Sequence, residues 1–153
     1  MNSLLIMFGK NKFRKGVFII VYFRVGNKIK YIILKRKLHW KGWEFPKGGI
    51  EFLEFDKWAL RREVKEETGL NVLKIKKFNI KGKYLYNKKF EDRKGFIGQT
   101  FKLYSAEVEN GDVKIDVREH SGFEWVDVKI ALKKLTWKNQ RDCLKIIDKE
   151  LKR

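Results

Sequence analysis

A single cysteine, Cys143, stands in the whole chain. No internal disulfide can form, and the residue fits a reducing compartment as a buried structural thiol. Proline is as scarce, with Pro46 alone, and there is no repeat, linker or low-complexity segment. Of the two histidines, His39 has no supporting partner in the sequence and His120 reads as a plain loop residue. Long apolar runs are missing too. LLIMF near the start is too short for a membrane span or a secretory core, and basic residues follow it instead of preceding it. The reading is a soluble, cytoplasmic protein without a membrane partner. Acidic residues are few beside basic ones, 19 against 37, for a formal net charge of +18. Such a surface attracts polyanions such as nucleotides or RNA. Lysines such as Lys10, Lys28, Lys57, Lys102 and Lys133 are nevertheless spread as on a solvated surface, so charge alone assigns no function.

What is present is a core. The 153 residues are 43% hydrophobic and 14% aromatic, which suits one domain over residues 1–153. GVFIIVYFR (Gly16 to Arg24) and KIKYIIL (Lys28 to Leu34) are β-branched and aromatic runs joined through Gly26-Asn27, which predicts a hairpin. Lys35 to Trp43 reads as a loop and Glu44-Phe45 as a short strand, with Pro46 to Gly49 turning into a helix. That helix is predicted from an N-cap at Asp56 to a stop at Thr68-Gly69. Leu73 to Ile80, Lys83 to Tyr86, Gln99 to Val108 and Gly122 to Val126 read as strands, and Asn87 to Gly98 as a mobile loop. A short helix over Asp127 to Lys134 and a last helix from Thr136 to about Leu151 follow. This order is compatible with an α/β/α sandwich.

The chemistry gathers in GGIEFLEFDKWALRREVKEETGL, Gly48 to Leu70. At about 100° per residue, a helix from Asp56 sets Leu60 and Val64 on one stripe. Glu63, Glu66 and Glu67 then fall within a sector of roughly 100° beside it. Three crowded carboxylates repel each other unless a divalent cation converts them into hard oxygen ligands, and Arg62 is placed to hold one of them. Gly48, Glu54 and Arg62-Glu63-Val64-Lys65-Glu66-Glu67-Thr68-Gly69-Leu70 resemble the Nudix box at each of its defined positions, with the spacing intact. One departure is Leu53, where relatives usually carry glycine before Glu54, and it should stiffen the loop.

That resemblance implies an α/β Nudix fold, an α/β/α sandwich around a mixed central sheet. It implies hydrolysis of a nucleoside diphosphate linked to another group, with Mg2+, or Mn2+, as cofactor. Glu63, Glu66 and Glu67 are the implied metal ligands and, with Arg62, the catalytic set. The base is one of the box glutamates or a glutamate on a later loop. Arg62 orients Glu63, Glu54 ion-pairs within the box or completes an outer shell, and the Lys47 carbonyl joins the metal in relatives. Glu119, beside His120, is the favoured further metal ligand, with Glu107 and Glu124 behind it.

The substrate-binding candidates lie mostly outside the box. WEFPKGGI, Trp43 to Ile50, resembles the approach to the box in the dinucleoside tetraphosphatases and the RNA 5′-pyrophosphohydrolases. It includes Lys47, which would reach a phosphate, and Gly48 and Gly49. Tyr84 and Tyr86 alternate on one strand face, either as core packing, ordinary for a strand, or to stack a base near where relatives do, and Lys81 and Lys83 flank them. Size, the PKG approach and Glu119-His120 favour a dinucleoside polyphosphate such as diadenosine tetraphosphate. The +18 charge and Gly98-Gln99 favour removal of pyrophosphate from an RNA 5′ end. A noncatalytic nucleotide- or RNA-binding module is the third reading, against which the complete box carboxylates argue.

Overall fold

The computed structural model describes residues 12–153, and LLIMF lies outside them. One eight-stranded sheet forms the middle layer. Its strands are β1 (Lys12–Arg14), β2 (Gly16–Val25), β3 (Lys28–Arg36), β4 (Gly42–Glu44), β5 (Lys47–Gly49), β6 (Val72–Leu85), β7 (Phe96–Val108) and β8 (His120–Val126). The helices are α1 (Asp56–Thr68), α2 (Val128–Lys134) and α3 (Lys138–Leu151). The sheet is mixed: β7 runs parallel to β1 and β2, and every other pairing is antiparallel.

Alternation along β2 and β3 decides which side chain faces which layer. Phe18, Ile20, Tyr22, Tyr31 and Ile33 pack toward Cys143, Leu144 and Ile147 of α3. Val17, Ile19, Val21, Ile32 and Leu34 pack toward Leu60 and Val64 of α1. The result is the α/β/α sandwich that the resemblance implies. Among the described residues no helix is long and apolar enough to cross a membrane.

The hairpin turns through Gly26-Asn27, with Val25 paired to Lys28 and Gly26 at φ 59°. Its pairing ends at Tyr22 and Tyr31. Beyond that point the strands part, and β4 and β5 enter the gap, β4 on the end of β3 and β5 on the start of β2. The Ile19 amide donates to the Pro46 carbonyl at the tip of this wedge, 3.0 Å away.

Several boundaries differ from expectation: the stretch read as a loop from Asn87 to Gly98 holds a 3-10 helix at Glu91–Arg93 and the start of β7 at Phe96, and β8 starts at His120. The short strand is Gly42–Glu44, not Glu44-Phe45, because β3 extends to Arg36 and pairs with it. The last helix begins at Lys138, since Thr136 instead accepts a hydrogen bond from the Trp43 amide at 3.0 Å. Asp56 is the first residue of α1, not its cap; its carboxylate accepts from Lys102 and Tyr104, each at 3.0 Å, and Phe55 occupies the cap position. Finally, the two strands predicted around Gly82 are one, β6, with an irregular register between Lys77 and Lys81. Gly82 does not break it: the Phe101 ring lies over its Cα, where a Cβ would come within 2.6 Å.

Candidate active site

The wedge delivers β5 to the open side of α1. Gly48 faces Glu63 so closely that a Cβ there would come within 2.0 Å of the Glu63 carboxyl carbon. Only glycine allows this approach. One turn further along α1, the Glu67 carboxylate accepts from the backbone N–H of Lys47 at 3.1 Å. Glu63 and Glu67 are buried, while Glu66 is exposed.

Arg62 ties the group together. It donates to both oxygens of Glu54 at 2.8 Å, to Glu63 at 2.8 Å, to Glu66 at 3.3 Å and to the Gly49 carbonyl at 2.9 Å. These bonds hold Glu54 down at about 2, far below an ordinary glutamate. Burial instead pushes Glu63 up to about 7 against the pull of Arg62. Glu67 rises well above the ordinary value for the same reason, with Glu63, Glu44 and Glu119 adding repulsion. A divalent cation would relieve both. Glu67, Glu119 and His120 also bring candidate ligand atoms within 4.8 Å of one another, so the donors present fit a metal.

Behind this cluster lies a buried hub that the sequence reading missed. Glu44 is fully buried in β4, with Lys47 Nζ at 3.3 Å, Arg36 Nη1 at 3.2 Å and His120 Nε2 at 2.8 Å. Burial alone would raise its pKa, but Lys47, His120 and Arg36 hold it at about 2. Glu44 in turn keeps Lys47 above its ordinary range despite burial. Arg36 also meets Glu119 at 3.5 Å, which links the hub to the carboxylates. His120 is thus no plain loop residue; it begins β8, paired with Arg36 in the sheet and wholly buried.

On the α3 side of Lys47 opens a cavity of about 250 Å³. Tyr84 and Tyr86 both line it, set edge to face at 6.2 Å, together with Trp40, Phe90 and Trp137. Lys47 Nζ lies 5.4 Å from the centre of the Tyr84 ring. Three polar atoms facing this region have no protein partner: Tyr84 Oη, His39 Nδ1 and Asn139 Oδ1. His39 does have neighbours in the fold, the Asp92 carboxylate at 3.3 Å and the Phe90 ring at 4.1 Å.

The structure therefore brings Arg62, Glu63, Glu66, Glu67, Glu119, Lys47, Gly48 and Gly49 to one junction, with Tyr84 and Tyr86 next to it. Lys83 is not brought in. It pairs with Thr100 in the sheet, on the α1 face of β6 and outside the cavity lining, with its ammonium over the Phe13 ring at 5.2 Å. Glu107 and Glu124 are also elsewhere, paired with Arg24 and Lys134. Trp40, Phe90, Arg93, Asn139 and Gln140 line the cavity without any local signal in the sequence.

The sequence profile of the NUDIX domain matches residues 12–145. An RNA pyrophosphohydrolase of Ruthia magnifica subsp. Calyptogena magnifica is 28% identical over 114 residues. That match spans 67% of this chain and 64% of the relative, less than two thirds of its length. Among solved structures, an Ap4A hydrolase of C. elegans in a binary complex is similar at a TM-score of 0.71 and 20% identity. It covers 90% of this chain and 97% of its own. The NUDIX domain of Shewanella oneidensis NrtR, complexed with ADP ribose, is similar at a TM-score of 0.73 and 14% identity, covering 92% of this chain and 90% of its own. At these identities the structural likeness is one of fold.

Proposed function

The chain belongs to the NUDIX domain family, and from that premise we propose that it is a magnesium-dependent hydrolase of a phosphoanhydride bond in a nucleoside diphosphate carrying a further group, foremost a dinucleoside polyphosphate such as diadenosine tetraphosphate. Lys47 carries the reading. Its backbone N–H holds the Glu67 carboxylate while its side chain lies between Glu44 and an aromatic cavity of nucleoside size. One residue thus joins a carboxylate cluster to a place where a base can stack.

Glu63, Glu66, Glu67 and Glu119 would hold a divalent cation, magnesium or manganese, which would supply Lewis-acid neutralisation of the polyphosphate charge. Glu63 is kept in orientation by Arg62, and Glu67 by the Lys47 amide. Lys47 and Arg36, positioned by Glu44, draw the phosphates toward the junction. Tyr84, Tyr86, Trp40 and Trp137 hold the base and exclude water from that side. Water attacks phosphorus, a carboxylate of the cluster accepts its proton, and the bridging P–O bond breaks with the electron pair leaving on the departing phosphate.

A second reading is removal of pyrophosphate from an RNA 5′ end. The curated relative and the +18 charge favour it. Comparing kcat/KM across diadenosine polyphosphates, nucleoside triphosphates, ADP-ribose and 5′-triphosphorylated RNA, with identification of products, separates the two. A preference for nucleoside triphosphates or ADP-ribose would overturn both. Glu67→Gln is expected to lower turnover at least about a hundredfold while leaving the fold intact; unchanged activity in magnesium would sink the assignment of the site.

A further inference from the structure

Lysines dispersed in the sequence gather on the α1 face of the sheet. Lys81 pairs with Lys102, Lys83 with Thr100 and Lys77 with Tyr104, and Tyr104 packs in the α1-side core. Period-two alternation therefore puts Lys77, Lys81, Lys83 and Lys102 on that one face. All four are exposed. Asp56 takes Lys102 at 3.0 Å. Among the described residues no carboxylate lies within ion-pair distance of Lys77, Lys81 or Lys83.

Asp56 also joins this row to a second feature. On either side of it Phe55 and Trp58 are 69% and 64% exposed, and Phe52 and Leu53 on the preceding loop 92% and 83%. Phe55 and Trp58 meet edge to face at 5.3 Å while most of each residue stays exposed. A group of large aromatic side chains exposed this far marks a binding surface. A row of lysines beside free aromatic faces is the composition that holds single-stranded nucleic acid, with phosphates on the cations and bases on the rings.

We propose that this face, outside the cavity, binds single-stranded RNA. The identity of the strand rests on the second reading above. A second copy of the chain is disfavoured by a formal charge of +18 on each molecule. An anionic membrane would meet the same lysines, so vesicles are one arm of the test below.

The test uses a fluorescent oligouridylate of about 12 nucleotides with a 5′-hydroxyl. It has no phosphoanhydride, so binding is read independently of hydrolysis. Anisotropy is followed against salt for the whole chain, for Lys77→Ala/Lys81→Ala and for Trp58→Ala. Binding by the parent chain should weaken linearly in log–log with salt. The double lysine variant should lower that slope by about 1.4, for two lost phosphate contacts. Trp58→Ala should weaken binding about fivefold or more with the slope retained. Unchanged affinity and slope in both variants would overturn the proposal. So would a parent chain that sediments with phosphatidylserine vesicles, or self-associates through Trp58, while leaving the oligonucleotide unbound. A chain that cleaves no nucleotide yet binds in this pattern would leave the surface standing and remove only the catalytic reading.

Discussion

Leu53 takes a left-handed backbone, φ 61°, with its side chain 83% exposed. The strain is of order 1 kcal/mol for a residue with a Cβ, and no burial offsets it. Here a leucine is held where glycine is at ease. Leu53→Gly should stabilise the fold by about 0.5 kcal/mol after the added chain entropy is subtracted, and so raise the melting temperature; calorimetry reads the sign directly. Glu44 is the opposite case. Its removal strands Arg36, Lys47 and His120 without their shared counter-charge. Glu44→Ala should therefore cost about 3–5 kcal/mol in urea unfolding. Nothing in the local sequence marks Glu44, because its importance comes from Arg36 and His120, distant residues that only strand pairing assembles.

β6 shows how propensity can mislead at the scale of an element. Gly82 between two lysines reads as a break, yet the strand continues because the Phe101 ring on β7 needs the room. Gly82→Val should improve intrinsic strand propensity and still destabilise, by about 1–3 kcal/mol from overpacking, as chemical denaturation would show. α1 was legible for a reason that is physical: Leu60, Val64, the carboxylate sector and the Gly69 stop all follow from helical spacing within one segment. Its first turn was not, because Asp56 is drawn away from capping by Lys102 and Tyr104 on β7. The hairpin turn and the alternation of β2 and β3 could be read locally. The parting of those strands could not, since β4 and β5 fill a gap that only the folded sheet contains.

Across the molecule, the site is half legible. The metal-side residues share one helix and one turn, whereas the cavity draws Trp40, Tyr84, Phe90 and Asn139 from segments far apart in sequence. The same geography sets the response to pH. Burial raises Glu63 to about 7 and moves Glu67 the same way, against about 4.3 for an unfolded glutamate. The unfolded chain gives up these protons first, so metal-free stability should fall as pH rises from about 4.3 to about 7. Saturating magnesium should flatten that slope and, at a hundred times its Kd, add about 2.7 kcal/mol. Denaturation at several pH values, with magnesium and with chelator, checks both.

The wedge has a temporal corollary. The amides of Ile19 and Lys47 are held by partners across it, the Pro46 carbonyl and the Glu67 carboxylate. An opening that frees one loosens the element that supports the other. Solvent deuterium should therefore reach the two amides in a shared event, one that separates the carboxylates from the aromatic cavity each time the sheet briefly comes apart.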